Sequence, residues 1–108
     1  MAKFEDIAKE VLDGVAAAAK QQGTGFEAGA QQDAQAFLDA LKADLLTWTM
    51  QVAAGQLSKD DFVFLVRGKK DLAQMHALTE AGLGAAGVDK IQTSLINLVV
   101  AAALKSIV

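Results

Sequence analysis

The stretch that most constrains the fold is the C-terminal run of residues 88–108, VDKIQTSLINLVVAAALKSIV, because it is more apolar than an ordinary surface helix. Wound as a helix at about 100° per residue, it gathers its polar and small residues on one narrow strip. That strip consists of Lys90, Ser94, Asn97, Ala101 and Lys105. The rest of the circumference is apolar, as in helices buried inside a fold. The run therefore predicts a buried C-terminal helix, including Val99 and Val100, that the rest of the chain covers.

The remainder of the chain is long enough and sufficiently helix-prone to supply that cover. A length of 108 residues suits one domain, and a hydrophobic share of 53% favours a packed core over disorder. The sequence has no Pro, so nothing locks φ or removes a backbone donor inside the periodic segments. We predict an all-α, single-domain four-helix up-down bundle over residues 1–108, with helices at about 3–22, 32–54, 59–81 and 88–107.

The first two helices show apolar residues at spacings of three and four. Gly14 lies beside the apolar face of the first helix, where its missing side chain lets another helix approach closely. Leu41 belongs to the inward row of the second helix, and its burial is worth roughly 1.5 to 3 kcal/mol. Phe26, in the Gly-rich stretch between the two helices, is expected to cover the end of the bundle.

The third helix is predicted to begin with a capping box, in which Ser58 is the N-cap and Asp61 occupies position N3. The run FVFLV that follows has the composition of a strand, but a strand without a partner would leave its backbone groups unpaired. We therefore predict a helix. Its expected inward face comprises Phe62, Leu65, Leu72, Thr79 and Leu83, flanked by Phe64, Gly68 and Met75.

Charge and cysteine content argue against several classes of function. The net charge is −3, and the ten Lys and Arg residues form no basic stripe, so nucleic-acid binding is not expected. The chain has no Cys, which excludes disulfides and thiolate metal sites and fits a reducing cytoplasm. The start, MAKFEDIAKEV, lacks the apolar region of a signal peptide. Residues 91–104 fall short of the roughly 20 apolar residues that span a bilayer. We expect a cytoplasmic protein without a membrane partner.

No catalytic, metal-binding or cofactor-binding site is predicted. His76 is the only imidazole and has Glu80 one helical turn away, but bundle metal sites use Glu-x-x-His motifs, which this sequence lacks. The Gly-rich stretches 23–29 and 82–87 follow no predicted strand and lack the Gly-Lys-Ser/Thr of a P-loop, so they predict turns. With one His and no arrangement of nucleophile and base, the chain is predicted to be non-enzymatic and to need no cofactor.

Gln92 and Asn97 are the polar side chains of most interest, because a buried amide without a partner costs a few kcal/mol. One interpretation is that they set the register of the bundle or lie on a symmetry axis, as polar residues do in coiled coils. The other is that they contact a ligand in a cavity between helices, with His76 nearby.

The leading functional hypothesis is a helical interaction or structural module that forms a homo-oligomer, because several apolar residues are predicted to point outward. These candidate oligomer residues are Leu46, Met50, Val63, Val66 and Leu78. The expected partner is a second copy of the chain or another protein. A carrier of a small apolar ligand in the bundle core is the first alternative, and it requires a cavity of at least about 300 Å³ near Asn97 or Gln92. A membrane-active bundle that inserts its last helix is the second.

Overall fold

The computed structural model describes residues 4–107, and over that range the chain is all-α. The helices are α1 Phe4–Lys20, α2 Glu27–Ala53, α3 Lys59–Arg67, a short 3-10 helix Lys70–Leu72, α4 His76–Glu80 and α5 Ala85–Ile107. The all-α prediction is confirmed. The predicted helix start at residue 3 and the final residue, 108, lie outside the described residues.

The longer helices alternate in direction and form a rod of 43 × 22 × 19 Å. α1 and α2 are antiparallel: the Lys42 ammonium lies 5.1 Å from the ring centroid of Phe4, while Gln31, earlier in α2, reaches the carbonyl of Leu12, later in α1. α1 packs along both α2 and α5, and α2 and α5 also contact each other directly.

The contact between α1 and α5 forms around Gly14, as the sequence predicted. A Cβ built on Gly14 would lie 2.6 Å from Leu98 Cδ2, closer than two carbon atoms can approach without a shift. Leu98 thus packs directly on the α1 backbone. Nearer the end of α5, Lys105 Nζ lies 3.4 Å from Glu10 Oε1, so the two helices are antiparallel.

The predicted continuous helix over residues 59–81 is wrong. α3 ends at Arg67, a 3-10 turn follows, and α4 begins only at His76, after Met75 has taken the left-handed conformation with φ of 55°. In a straight helix at about 100° per residue, Met75 and Leu78 would point roughly opposite to Phe62 and Val66. All four are buried here. The break rotates the later segment so that both apolar sets face the core.

Two other helices begin earlier than predicted. α2 starts at Glu27 instead of about residue 32, directly after Phe26 and the positive-φ Gly25. α5 starts at Ala85 instead of residue 88. Gly29 lies in the first turns of α2, and a Cβ at this position would lie 3.4 Å from the backbone of Ala77. The absence of a side chain at Gly29 therefore allows the start of α4 to pack closely on α2.

The predictions of Ser58 as an N-cap and of Phe26 as a cover at the end of the bundle are confirmed. The Asp61 backbone N–H donates a hydrogen bond to Ser58 Oγ at 3.0 Å, which makes Ser58 the N-cap of α3. Phe26 is half-buried and packs against the core at the start of α2.

α5 is less enclosed than its composition indicates. Its buried residues are Ile91, Leu95, Ile96, Val99, Ala102 and Ala103. Val99 is fully buried, but Val100 is only half-buried, and Asn97 and Ala101 face solvent. In its most apolar 18-residue window, 33% of the residues are buried. Asn97 and Ala101 belong to the predicted polar strip, so their exposure agrees with the prediction. The half-buried Val100 does not, because the neighbouring helices cover the apolar remainder of α5 only in part.

Candidate interaction surface

Four large apolar side chains are exposed among the described residues, and three of them belong to the hairpin formed by α2 and α3. Met50 is 62% exposed, Leu46 is 40% exposed and Phe64 is 77% exposed; the fourth, Leu72 at 45%, follows in the 3-10 helix. Leu46 and Met50 lie on the side of α2 opposite Leu41, as predicted, since residues four apart share a helix face. We call Leu46, Met50 and Phe64 the hairpin surface.

The prediction that Val66 and Leu78 contribute to an oligomer surface is wrong. Val66 and Leu78 are both fully buried, and Val63 is half-buried. Val66 lies four residues after Phe62, so the two share one face of α3, and that face packs on the core. Leu78 is turned inward by the break in the third segment. Of the five residues proposed from the sequence, Leu46 and Met50 are clearly exposed.

The prediction for Phe64 and Leu72 is wrong in the other direction. The sequence places Leu72 on the inward face and Phe64 beside it, but both side chains are exposed. Phe62 and Phe64 are two residues apart, about 200° around a helix, so they cannot both face the core. The structure buries Phe62 and exposes Phe64. The spacing FVF was therefore the available signal for an exposed aromatic ring.

The three polar residues predicted as possible ligand contacts have separate surroundings. Gln92 Nε2 donates hydrogen bonds to the Ala73 carbonyl at 2.7 Å and the Lys70 carbonyl at 3.2 Å. His76 is exposed, and its Nε2 lies 2.8 Å from Gln74 Oε1. Gln92 thus has a structural role between α5 and the segment that follows α3, while His76 lies within hydrogen-bonding distance of Gln74.

Asn97 is exposed and borders two open grooves. One groove, of about 350 Å³, is lined by Arg67, Lys70, Thr93, Ile96 and Asn97. The other, of about 530 Å³, runs between α1 and α5 and is lined mainly by small residues around Gly14 and Ala17. Asn97 is therefore a surface amide beside two concave regions.

Asp33 is the functional-looking residue that sequence reasoning missed. Its side chain is only 9% exposed. Its Oδ1 accepts a hydrogen bond from the Ala77 N–H and its Oδ2 from the Leu78 N–H, both at 2.9 Å. No local pattern could reveal this contact, because its partners lie more than forty positions away in the sequence.

The charged side chains form exposed pairs rather than a concentrated site. Lys69 Nζ lies 3.6 Å from Asp44 Oδ2, and Lys70 Nζ lies 3.5 Å from Asp89 Oδ1. Exposed pairs of this kind contribute about 0 to 1 kcal/mol each. Over residues 4–107, no three His, Asp or Glu side chains converge in a way that could hold a metal ion.

α5 is the helix in the described range that has the length and composition to cross a membrane. Helices in the cores of soluble proteins can meet the same criteria. Comparisons with known protein families, curated proteins and solved structures give no match to this chain. The candidate surface is therefore defined by its own residues alone.

Proposed function

We propose that this protein is a non-enzymatic helical interaction module that forms a homo-oligomer through the hairpin surface. The observation that carries the proposal is the 77% exposure of Phe64. Removing a Phe, Leu or Met side chain from water gains roughly 1.5 to 3 kcal/mol. The exposed Phe64 side chain lacks this stabilisation in the monomer, and burial against a partner surface would provide it.

A second copy of the chain is the partner we favour. Most soluble oligomers are homo-oligomers with closed symmetry, and a twofold axis brings the same patch of two copies together. Leu46 and Met50 are two further exposed apolar side chains, on the helix that α3 packs against. Aromatic residues and Met are also enriched at the centres of protein interfaces.

The proposal predicts that the chain associates in solution and that Phe64→Ser together with Met50→Ser converts the assembly to monomers. Sedimentation velocity across the micromolar range measures the assembly, and circular dichroism checks that the helices are retained. Leu72→Ser is the matched control, because Leu72 is exposed but lies outside the hairpin surface. A wild-type monomer throughout this range, or an assembly unchanged by the double substitution, would refute the proposal.

A second candidate function is the binding of a small ligand in the groove beside Asn97. Its volume of about 350 Å³ reaches the lower end of ligand-site sizes, which begin near 300 Å³. Arg67 and Lys70 supply cationic groups, Thr93 and Asn97 supply hydrogen-bonding groups, and the mostly buried Ile96 supplies an apolar wall. The lining favours a small anion with an apolar part over the purely apolar core ligand expected from the sequence.

For this candidate, hexanoate is expected to shift the amide resonances of Thr93 and Asn97 in a saturable way. The shifts should disappear in Arg67→Gln and persist in Lys90→Gln, which removes an exposed cation outside this groove. Two-dimensional NMR titration at constant ionic strength measures both responses. Equal, non-saturating shifts in all three proteins would contradict a specific site.

A membrane-active bundle has less support than either proposal. Its basis is the composition of α5, yet the most apolar positions of that helix, including Leu95 and Val99, are turned into the core. Insertion would require α5 to give up those contacts.

A further inference from the structure

The segment between α3 and α5, residues 68–84, differs from the rest of the fold in how it is held. It contains a 3-10 turn of three residues and an α-helix of five residues. Helices this short have few backbone hydrogen bonds of their own. We call residues 68–84 the strap, because they pack against both α2 and α5.

The strap is tied to α2 by the Asp33 carboxylate. The first amides of a helix have no acceptor within the helix and need one from elsewhere. A preceding Ser, Thr, Asp or Asn usually supplies it, but Met75 precedes α4 and cannot. Asp33 takes this role from another helix, accepting from the Ala77 and Leu78 amides at 2.9 Å each.

The strap is tied to α5 by the Gln92 amide. Gln92 Nε2 donates to the Ala73 carbonyl at 2.7 Å and the Lys70 carbonyl at 3.2 Å. Ala73 is almost fully buried, so its carbonyl has little access to water as an alternative partner. The exposed Lys69–Asp44 and Lys70–Asp89 pairs add weaker links to the same two helices.

The strap also contains the positive-φ residue Met75, whose backbone has φ of 55° and ψ of 39°. A residue with a Cβ is disfavoured in this conformation. The side chains of Met75 and of Leu78, three residues later, are both buried. Gly68 precedes the 3-10 turn, and Gly82, at φ of 95°, follows α4, so each end has a residue that tolerates a change in backbone direction.

We propose that the strap is a hinged latch that opens as a unit while α1, α2 and α5 stay packed, with Asp33 and Gln92 as its two fastening contacts. α1 packs along both α2 and α5, whereas the strap bridges these two helices on another side. Opening the strap withdraws Met75 and Leu78 and exposes the apolar surfaces of α2 and α5 that they cover. The fold thereby contains a concealed apolar surface, separate from the hairpin surface and independent of the proposed self-association.

Hydrogen exchange measured by mass spectrometry on the full chain tests the latch. Asp33→Asn leaves one acceptor oxygen for two amides, and we expect amides in residues 70–84 to exchange at least about tenfold faster, since a bond to a charged acceptor is worth a factor of ten or more. Protection in α1 and in residues 95–103 of α5 should remain unchanged. Asp39→Asn is the matched control, because the Asp39 carboxylate accepts from Gln35 Nε2 at an exposed site.

Gln92→Met is the second variant, because it removes the amide while keeping a side chain of similar length. It should accelerate exchange over the same residues as Asp33→Asn. Faster exchange confined to the strap supports the latch. An equal acceleration in all helices would show that the strap opens only with global unfolding, and unchanged strap exchange in both folded variants would show that these contacts do not fasten it. If Asp33→Asn does not fold, Gln92→Met and the wild-type protein in low urea give the same comparison.

Discussion

Leu41→Ala is expected to lower the free energy of unfolding by about 2 to 5 kcal/mol, one of the largest losses a single truncation can cause in this protein. Leu41 lies near the middle of α2 and is fully buried. Truncation removes buried methyl groups and leaves a cavity that neighbouring helices fill only partly. The total stability of a small domain is about 5 to 15 kcal/mol, so the loss would be a large part of it.

Urea denaturation followed by circular dichroism measures the loss as a lower midpoint with an unchanged slope. Leu72→Ala is the matched control, being the same substitution at an exposed leucine outside the hairpin surface. It should change the stability of the monomer by no more than about 0.5 kcal/mol. Similar losses in the two variants would mean that α2 does not present the described face to the core.

Val99→Asp is expected to destabilise the fold by at least about 4 kcal/mol, because it places an unpaired carboxyl group in the apolar centre of α5. Val99 is fully buried. Most molecules of the Val99→Asp protein should already be unfolded before heating, since the loss approaches the total stability of a small domain. The sample should therefore show little or no cooperative thermal transition.

Ala101→Asp supplies the comparison for Val99→Asp, because Ala101 lies two residues later on the exposed side of α5. The low helix propensity of Asp, and its negative charge in the C-terminal half of α5, give an expected loss of stability of about 1 kcal/mol or less. Thermal unfolding followed by circular dichroism distinguishes the two. A cooperative transition for Val99→Asp close to that of the wild type would contradict the one-sided burial of α5.

The long helices were predictable because their apolar residues recur with the period of a helix, and contacts such as that of Leu98 on Gly14 follow from residue size. How much of each helix is buried was harder to predict from the sequence. The composition of α5 indicated burial of everything except one polar strip, whereas the packing of the neighbouring helices decides how much of the apolar remainder is covered. Composition describes what a helix can bury, and topology decides what it does bury.

No Pro marks the break after Arg67, and the local signal for the end of α3 is its C-cap, Gly68. The path of the chain beyond Gly68 could not be predicted from local propensity. It depends on contacts between distant parts of the chain: the Asp33 carboxylate caps α4, and the Gln92 amide holds the preceding turn. Periodicity is a local signal and carries no information about such partners. Leu78 was predicted to be exposed because the break was not predicted. Leu46 and Met50 belong to an uninterrupted helix, and their exposure was predicted correctly.

The order of the helices along the chain also affects how the chain folds while it is being made. α1 meets α2 early in synthesis, but the residues of α5 that pack on α1, such as Leu98, are added only much later. Until then the nascent hairpin of α1 and α2 lacks the helix that covers the rest of its apolar surface. Completion of this fold on the ribosome therefore depends on the emergence of its last helix.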